Sequence, residues 1–205
     1  MTTVPGKALR LGVFGGAFDP PHIGHRALLE AALYQLQLDQ LRVFPTGWAW
    51  HKARELSSAQ HRLAMAELAF ADLRRVVVDP RETQRSGPSY TVDTLRELHA
   101  QFPGAELFLL IGQDQAEALP TWQAWDSVVQ LATICVAARQ GSTGSTPEFV
   151  APAGLQARFL QLDSPVVPVS ATHIRQRAAQ GQGIAPLVSE AVARYIVHHH
   201  LYQAA

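Results

Sequence analysis

Hydrophobic positions along the chain fall into two alternating patterns. Short, mostly apolar stretches predict strands at residues 9–14, 41–44, 76–78, 107–111, 133–138 and 159–162. Apolar residues recurring every three or four positions predict helices between and after them, at 23–36, 58–70, 91–101, 122–131, 170–180 and 189–199. Strands buried on both faces read as continuous apolar runs. Five or six such strands alternating with helices predict an α/β fold, a Rossmann-like doubly wound parallel sheet with a helical C-terminal part from about residue 170.

The loops give the domain organisation and the expected ligand position. Residues 81–89 form a polar loop, and residues 141–152 are rich in Gly, Ser, Thr and Pro. No linker-like stretch or internal repeat divides the sequence, so residues 1–205 are predicted to form a single domain. Parallel α/β sheets bind ligands beyond the carboxyl ends of their strands. We therefore expect a ligand at the turn that follows the first strand, at residues 15–25.

Composition narrows the class of protein. The chain has 17 basic and 17 acidic residues, so its formal net charge of zero argues against nucleic-acid binding through bulk positive charge. A local site for a small polyanion remains possible. No apolar run approaches the ~18 residues of a membrane span, and the N-terminus lacks a signal-peptide core. The single cysteine, Cys135, favours a reducing cytoplasmic location, and its apolar surroundings favour a buried strand residue over a catalytic thiol.

The first motif is the stretch GVFGGAFDPPHIGH at residues 12–25. Its glycines, Gly12 included, let backbone N–H groups approach a ligand with no Cβ in the way. The helix that begins after the two prolines offers free N–H donors and a partial positive charge. His22 and His25 share one face of that helix and can donate hydrogen bonds to phosphate oxygens. The stretch is neither a Walker loop nor a three-glycine dinucleotide fingerprint, and the histidine pair is too isolated for a metal site.

The second motif is VSATHIR at residues 169–175. Ser170 is a good N-cap, and Thr172 and Arg175 fall in or near the first turn of the predicted helix. Hydroxyls and a guanidinium at a helix N-terminus form another phosphate cradle. By itself this motif is a weak signal, commonly explained by a capped helix with a surface arginine. A bare glycine turn would likewise indicate only a tight turn, whereas the whole first motif with both histidines favours phosphate binding.

Together the two motifs resemble the HxGH nucleotidyltransferase family, which holds a nucleoside triphosphate between them. Further stretches resemble its bacterial nicotinate-mononucleotide adenylyltransferases, and these are FGGAFDP at 14–20, PSYT at 88–91, IGQD at 111–114 with LPTW at 119–122, and the closing YI and LY pairs. The resemblance spans nearly the whole chain. Two departures stand out. Ala17 replaces a commoner Thr or Ser, and the loop at 46–52 lacks the proline that many relatives place before the His-Lys pair.

The resemblance implies adenylyl transfer from ATP to nicotinate mononucleotide, giving deamido-NAD and pyrophosphate in NAD biosynthesis. It implies Mg²⁺ held by phosphates and water rather than by a protein metal site. It makes His22, His25 and Arg175 catalytic. The residues implied to bind ATP are Phe14, Gly15, Gly16, Lys52, Gly112, Asp114, Ser170, Thr172 and Ile174. Those implied to bind the acceptor are Ala17, Tyr90, Thr91 and Trp122.

Other readings remain open at this stage. Nicotinamide mononucleotide could be the preferred acceptor, whereas the PSYT and PTW stretches disfavour phosphopantetheine. The chain could also be a nucleotide-binding regulatory module without turnover, although both motif histidines and the arginine are present. The run His198 to His200 reads as a mixed helix end rather than a metal site or a tag. The oligomeric state is left undetermined.

Overall fold

Six parallel strands form the sheet in the computed structural model, which describes residues 7–48, 56–137, 149–165 and 167–203. The strands are β1 (Arg10–Gly16), β2 (Gln40–Pro45), β3 (Val76–Val78), β4 (Glu106–Gly112), β5 (Thr133–Ala137) and β6 (Phe159–Leu162). Their spatial order is β3-β2-β1-β4-β5-β6, with every neighbouring pair parallel. This confirms the predicted Rossmann-like doubly wound sheet. The order reverses between β1 and β4, which places the topological switch point beside β1.

Helices connect and follow the strands. They are α1 (Ile23–Gln35), α2 (Ala59–Phe70), α3 (Arg81–Gln84), α4 (Thr91–Gln101), α5 (Gln113–Ala118), α6 (Trp125–Leu131), α7 (Ala171–Ala179) and α8 (Glu190–His198). Serine hydroxyls cap α2, α7 and α8 by accepting a backbone N–H three residues on, as the sequence predicts. Helices α3 and α5 have only four and six residues, too short to show a helical period, and were not predicted. Helix α6 begins three residues late because Ala124 is left-handed, with φ of 50°.

The two faces of the sheet carry separate cores. On β1 the side chain of Phe14 joins one core and its neighbour Val13 joins the other, as the alternation along a strand requires. Helices α1, α2, α7 and α8 cover the first face, whereas α4, α5 and α6 cover the second. The C-terminal helices therefore share a core with α1, and the single domain over residues 1–205 stays a prediction. Cys135 is fully buried on β5, and burial raises the pKa of its thiol to about 12, so it is a packing residue as predicted.

The structure corrects one prediction about the first motif. Gly12 lies in the middle of β1, and a Cβ there would come within 2.6 Å of the Leu38 side chain and 2.9 Å of Leu41. The glycine thus allows β1 to pack closely against its neighbours and does not face a ligand.

The longest described helix, α1, has 13 residues, and no described helix is long and apolar enough to cross a membrane.

Candidate active site

Open space lies above the carboxyl ends of two adjacent strands. A Cβ added at Gly15, near the end of β1, would meet no atom within 4 Å, and the same holds for Gly112 at the end of β4. Gly16 differs because a Cβ there would press on the ring of Phe18 at 3.0 Å. The two open glycines stand at the switch point of the sheet, where the fold leaves room for a ligand.

The two motif histidines form a stacked pair at the start of α1. His22 is the N-cap residue, and its backbone N–H donates to His25 Nδ1 at 3.1 Å. The ring centroids are 3.7 Å apart, with the planes inclined by 19°. Because Nδ1 of a neutral His25 accepts this hydrogen bond, its Nε2 must carry the hydrogen and act as a donor. Gly24 makes the stack possible, since a Cβ at this position would lie 3.2 Å from the His22 ring and 3.1 Å from Val169.

Both imidazoles are neutral near pH 7. Burial lowers the pKa of His22 to about 4, against a small opposing effect of its backbone. Burial also lowers the pKa of His25 well below its ordinary value, and the neighbouring His22 lowers it further. Among the described residues, His22 Nδ1 is a buried polar atom without a hydrogen-bond partner. The pair therefore presents uncharged donors at a helix N-terminus, where the backbone already favours an anion.

The second motif meets the first across 156 residues of sequence. Ser170 caps α7 by accepting the backbone N–H of His173 at 3.2 Å. Arg175 on the same helix donates to the backbone carbonyl of Asp19 at 2.8 Å and to Thr172 Oγ1 at 3.0 Å. The structure thus places the predicted arginine against the segment that leads into the histidine pair. The N-termini of α1 and α7 therefore lie at the same end of the sheet, where they bring together hydroxyls, imidazoles and a guanidinium.

Asp19 is a buried residue of the first motif to which the sequence analysis assigned no role. Its side chain is 2% exposed, with Oδ1 accepting from the Tyr202 hydroxyl at 2.7 Å and Oδ2 from the Ser57 backbone N–H at 3.3 Å. Burial and the adjacent carboxylate raise the pKa of Tyr202 above its ordinary value, so this tyrosine stays a donor. Sequence reasoning assigned Tyr202 no site role, although the closing Leu-Tyr pair was part of the resemblance.

The predicted acceptor residues lie on three separate segments of the chain. Tyr90 is the N-cap and Thr91 the first residue of this helix, and both are partly buried. Trp122, also partly buried, packs against the same core as Tyr90. Ala17 follows β1 on the other side of the open space and keeps its carbonyl in a hydrogen bond to Arg62. The structure places these residues on separate elements at the carboxyl end of the sheet.

Two residues of the predicted ATP set have buried side chains. Ile174 is 0% exposed and lies in the core between α7 and the sheet, so its side chain does not line the open space. Phe14 is 8% exposed, with its ring 5.6 Å from Phe18 and 6.0 Å from His25. The place of both residues in the ATP-binding set stays a prediction from the resemblance. Asp114 is exposed in the first turn of α5, whereas Lys52 lies outside the described residues.

Comparisons with known proteins match this chain to a family model and to curated relatives. The cytidylyltransferase-like family matches residues 13–177. A curated relative from Albidiferax ferrireducens, named "Probable nicotinate-nucleotide adenylyltransferase", is 61% identical over 196 residues, covering 96% of this chain and 99% of its own. A relative of the same name from Methylibium petroleiphilum is 46% identical and covers 94% and 92%.

A solved structure extends the likeness to the fold. The nicotinic acid mononucleotide adenylyltransferase of Plasmodium falciparum, complexed with NaAD, superimposes with a TM-score of 0.77 over 95% of this chain and 97% of its own, at 16% identity. At this identity the likeness concerns the fold alone. The match to the family and the identity to the bacterial relatives decide the membership. The chain belongs to the cytidylyltransferase-like family and, within it, to the nicotinate-nucleotide adenylyltransferases.

Proposed function

We propose that the residues above the β1 and β4 ends transfer the adenylyl group of ATP to nicotinate mononucleotide, the step of NAD biosynthesis for which the curated relatives are named. The observation that carries this proposal is the contact of Arg175 with the Asp19 carbonyl, which brings the α7 N-terminus to the turn that ends in the His22–His25 pair. A triphosphate between the two helix starts would meet donors from both.

The reaction is an in-line displacement at the α-phosphorus of ATP. An oxygen of the 5′-phosphate of nicotinate mononucleotide forms the new bond to phosphorus, and the bond from phosphorus to the α–β bridging oxygen breaks. The leaving group departs as pyrophosphate, and the dinucleotide product is deamido-NAD. No protein nucleophile is needed, so catalysis rests on positioning and on stabilising the charge of the phosphoryl oxygens.

The histidines and the arginine take different parts in this step. His25 Nε2–H donates to a triphosphate oxygen, because its Nδ1 is occupied by the His22 N–H. His22 lies beside it as a second imidazole whose pKa the bound phosphates would raise from its low value. Arg175, fixed by Thr172, neutralises charge on the departing pyrophosphate. These roles place donors where negative charge accumulates.

The remaining ATP contacts follow from position on the sheet. Backbone N–H groups at Gly15 and Gly16 are proposed to approach the phosphates, and Gly112 and Asp114 the adenosine. Ser170 and Thr172 add hydroxyls at the start of α7. Open space above Gly15 and Gly112 supports this arrangement. Lys52 stays a predicted phosphate contact from the sequence.

The acceptor is proposed to lie against α4, an 11-residue helix whose first turn offers free N–H donors. A pyridine carboxylate suits that end better than a neutral amide, because the helix N-terminus favours negative charge. Trp122 would stack on the ring, with Tyr90, Thr91 and Ala17 beside the nucleotide. This favours nicotinate over nicotinamide mononucleotide.

We further propose that Mg²⁺ accompanies ATP and that the enzyme works in the cytoplasm. Among the described residues, no group of three or more His, Cys, Asp or Glu side chains could hold a metal ion. Asp19 already accepts hydrogen bonds from Tyr202 and Ser57. Such a donor set fits a cation held by phosphate oxygens and water, which when bound would shield the phosphate charge.

The test measures pyrophosphate release and dinucleotide formation with ATP and each mononucleotide. We expect turnover with nicotinate mononucleotide and a lower kcat/KM with the amide. His25→Ala should lower kcat by about 100-fold or more, whereas His198→Ala, at the exposed end of α8, should match the parent. Tight ATP binding without turnover of either acceptor would refute the proposal, and higher kcat/KM with the amide would refute the acceptor assignment.

A further inference from the structure

Arg62 on α2 is a buried arginine that holds three backbone carbonyls at once. Its side chain is 2% exposed, although arginine is among the residues least often buried. Its Nε donates to Ser57 O at 2.9 Å, and its two terminal nitrogens donate to Ala17 O at 3.0 Å and Gly47 O at 2.9 Å. A guanidinium is buried at tolerable free-energy cost only where its donors are satisfied, so these contacts hold Arg62, the β1–α1 turn and the β2–α2 segment together.

Two of the carbonyls, those of Gly47 and Ser57, belong to the segment between β2 and α2, and that of Ala17 belongs to the turn between β1 and α1. The β1–β2 ladder ends at Gly16 opposite Pro45, and the last backbone link is the Thr46 N–H donating to Gly16 O at 2.9 Å. Ala17 and Gly47 come directly after this link, one on each loop. Arg62 continues the connection with side-chain donors where the backbone ladder stops.

Gly47 carries that connection on to the acceptor side. Its N–H donates to Ser89 Oγ at 3.2 Å, and Ser89 immediately precedes the N-cap of α4. A Cβ at Gly47 would overlap the backbone carbonyl of Glu82, so no larger residue fits in this conformation. The path from Ala17 through Arg62 and Gly47 to Ser89 joins the turn of the first motif to the segment proposed to bind the acceptor.

We propose that Arg62 is a positioning residue that sets the distance and direction between the acceptor phosphate and the α-phosphate of ATP. The inference rests on the proposed function, because in-line transfer is the step that needs this alignment. Arginine suits the task because its planar fork reaches several carbonyls in fixed directions. A lysine ammonium is a compact point donor on a flexible stem and cannot hold all three carbonyls in one geometry.

The chain offers a matched control. Arg158, before β6, also donates to three backbone carbonyls, those of Val129, Gln130 and Ala132, at 2.7 to 3.2 Å. Those carbonyls lie at the end of α6 and the residue after it, before β5 begins, at the amino-terminal side of the sheet. A lysine at either position removes a comparable set of hydrogen bonds, but only the change at Arg62 alters the path between the two proposed substrates.

The experiment compares Arg62→Lys, Arg158→Lys and the parent by steady-state kinetics with ATP and nicotinate mononucleotide, alongside thermal unfolding. We expect both variants to lose stability. We expect Arg62→Lys alone to lower kcat by about 100-fold, as small misplacements of reacting groups do, while its KM values stay within about threefold of the parent's. Equal effects of the two variants on kcat, or an unchanged kcat in folded Arg62→Lys, would overturn the inference.

Should Arg62→Lys not fold, Ser89→Ala breaks the same path from its other end by removing the acceptor of the Gly47 N–H. A lowered kcat with near-parental KM supports the inference, and a parental kcat overturns it. The proposed function fails separately, when the parent enzyme itself releases no pyrophosphate with the two substrates.

Discussion

Because His22 is buried in its uncharged form, the protein should lose stability in mild acid. The substitution His22→Asn should remove part of that loss. The pKa of His22 in the folded chain is about 4, against an ordinary value of 6.5. Asparagine keeps a polar side chain at the N-cap and cannot take up the proton. The comparison therefore isolates the proton-binding contribution of one buried imidazole.

The sign and size follow from proton linkage. Between pH 6.5 and 4 the unfolded chain binds a proton at this histidine that the folded chain does not, so the free energy of unfolding falls as the pH falls. Above pH 6.5 both states are neutral at His22 and the dependence disappears. A lowering of this size corresponds to about 3 kcal/mol at pH 4. His25 contributes in the same direction, since burial lowers its pKa too; that part persists in the variant, whereas the further lowering by His22 is lost with the imidazole.

The assay is urea unfolding of the two proteins in buffers from about pH 7.5 to pH 4, followed by circular dichroism. We expect the variant to lose about 3 kcal/mol less than the parent across this range, with similar m-values. Parallel pH profiles for the two proteins would refute the argument that His22 is held neutral by burial. A steeper profile in the variant would refute the sign.

Three further predictions test other contacts. Gly24→Ala places a Cβ 3.2 Å from the His22 ring. We expect a stability loss of about 1–3 kcal/mol and a drop in kcat of about tenfold or more. Parental kinetics in this variant would contradict the prediction. Tyr202→Phe removes the 2.7 Å hydrogen bond to buried Asp19 and should lower the free energy of urea unfolding by about 1–3 kcal/mol, whereas an unchanged urea midpoint would show the bond to be dispensable. Cys135→Ser should leave kcat unchanged. The parental thiol should resist alkylation while the protein is folded, because it is buried and its pKa is raised to about 12. Rapid inactivation of the folded parent by iodoacetamide would contradict this prediction.

Local sequence patterns predicted the framework well, for identifiable reasons. Short, mostly apolar stretches located all six strands, with 76–78 and 159–162 matching β3 and β6 at both ends. Serine caps located the starts of three helices, because a hydroxyl three residues before a backbone N–H satisfies it locally. The short helices α3 and α5 escaped because one or two turns show no period.

The candidate site shows the same division between local and long-range information. The two motifs predicted it from local signals for phosphate binding, namely glycines, histidines and a capped helix that carries an arginine. Contacts between distant segments were not predicted, and these include the contact of Arg175 with the Asp19 carbonyl, of Tyr202 with the Asp19 carboxylate, and of Arg62 with carbonyls on two loops. Ile174 shows the converse, because a motif position became a core residue once α7 packed on the sheet. Spacing along the chain encodes what a segment can bind, whereas burial and long-range hydrogen bonds depend on how the segments pack together.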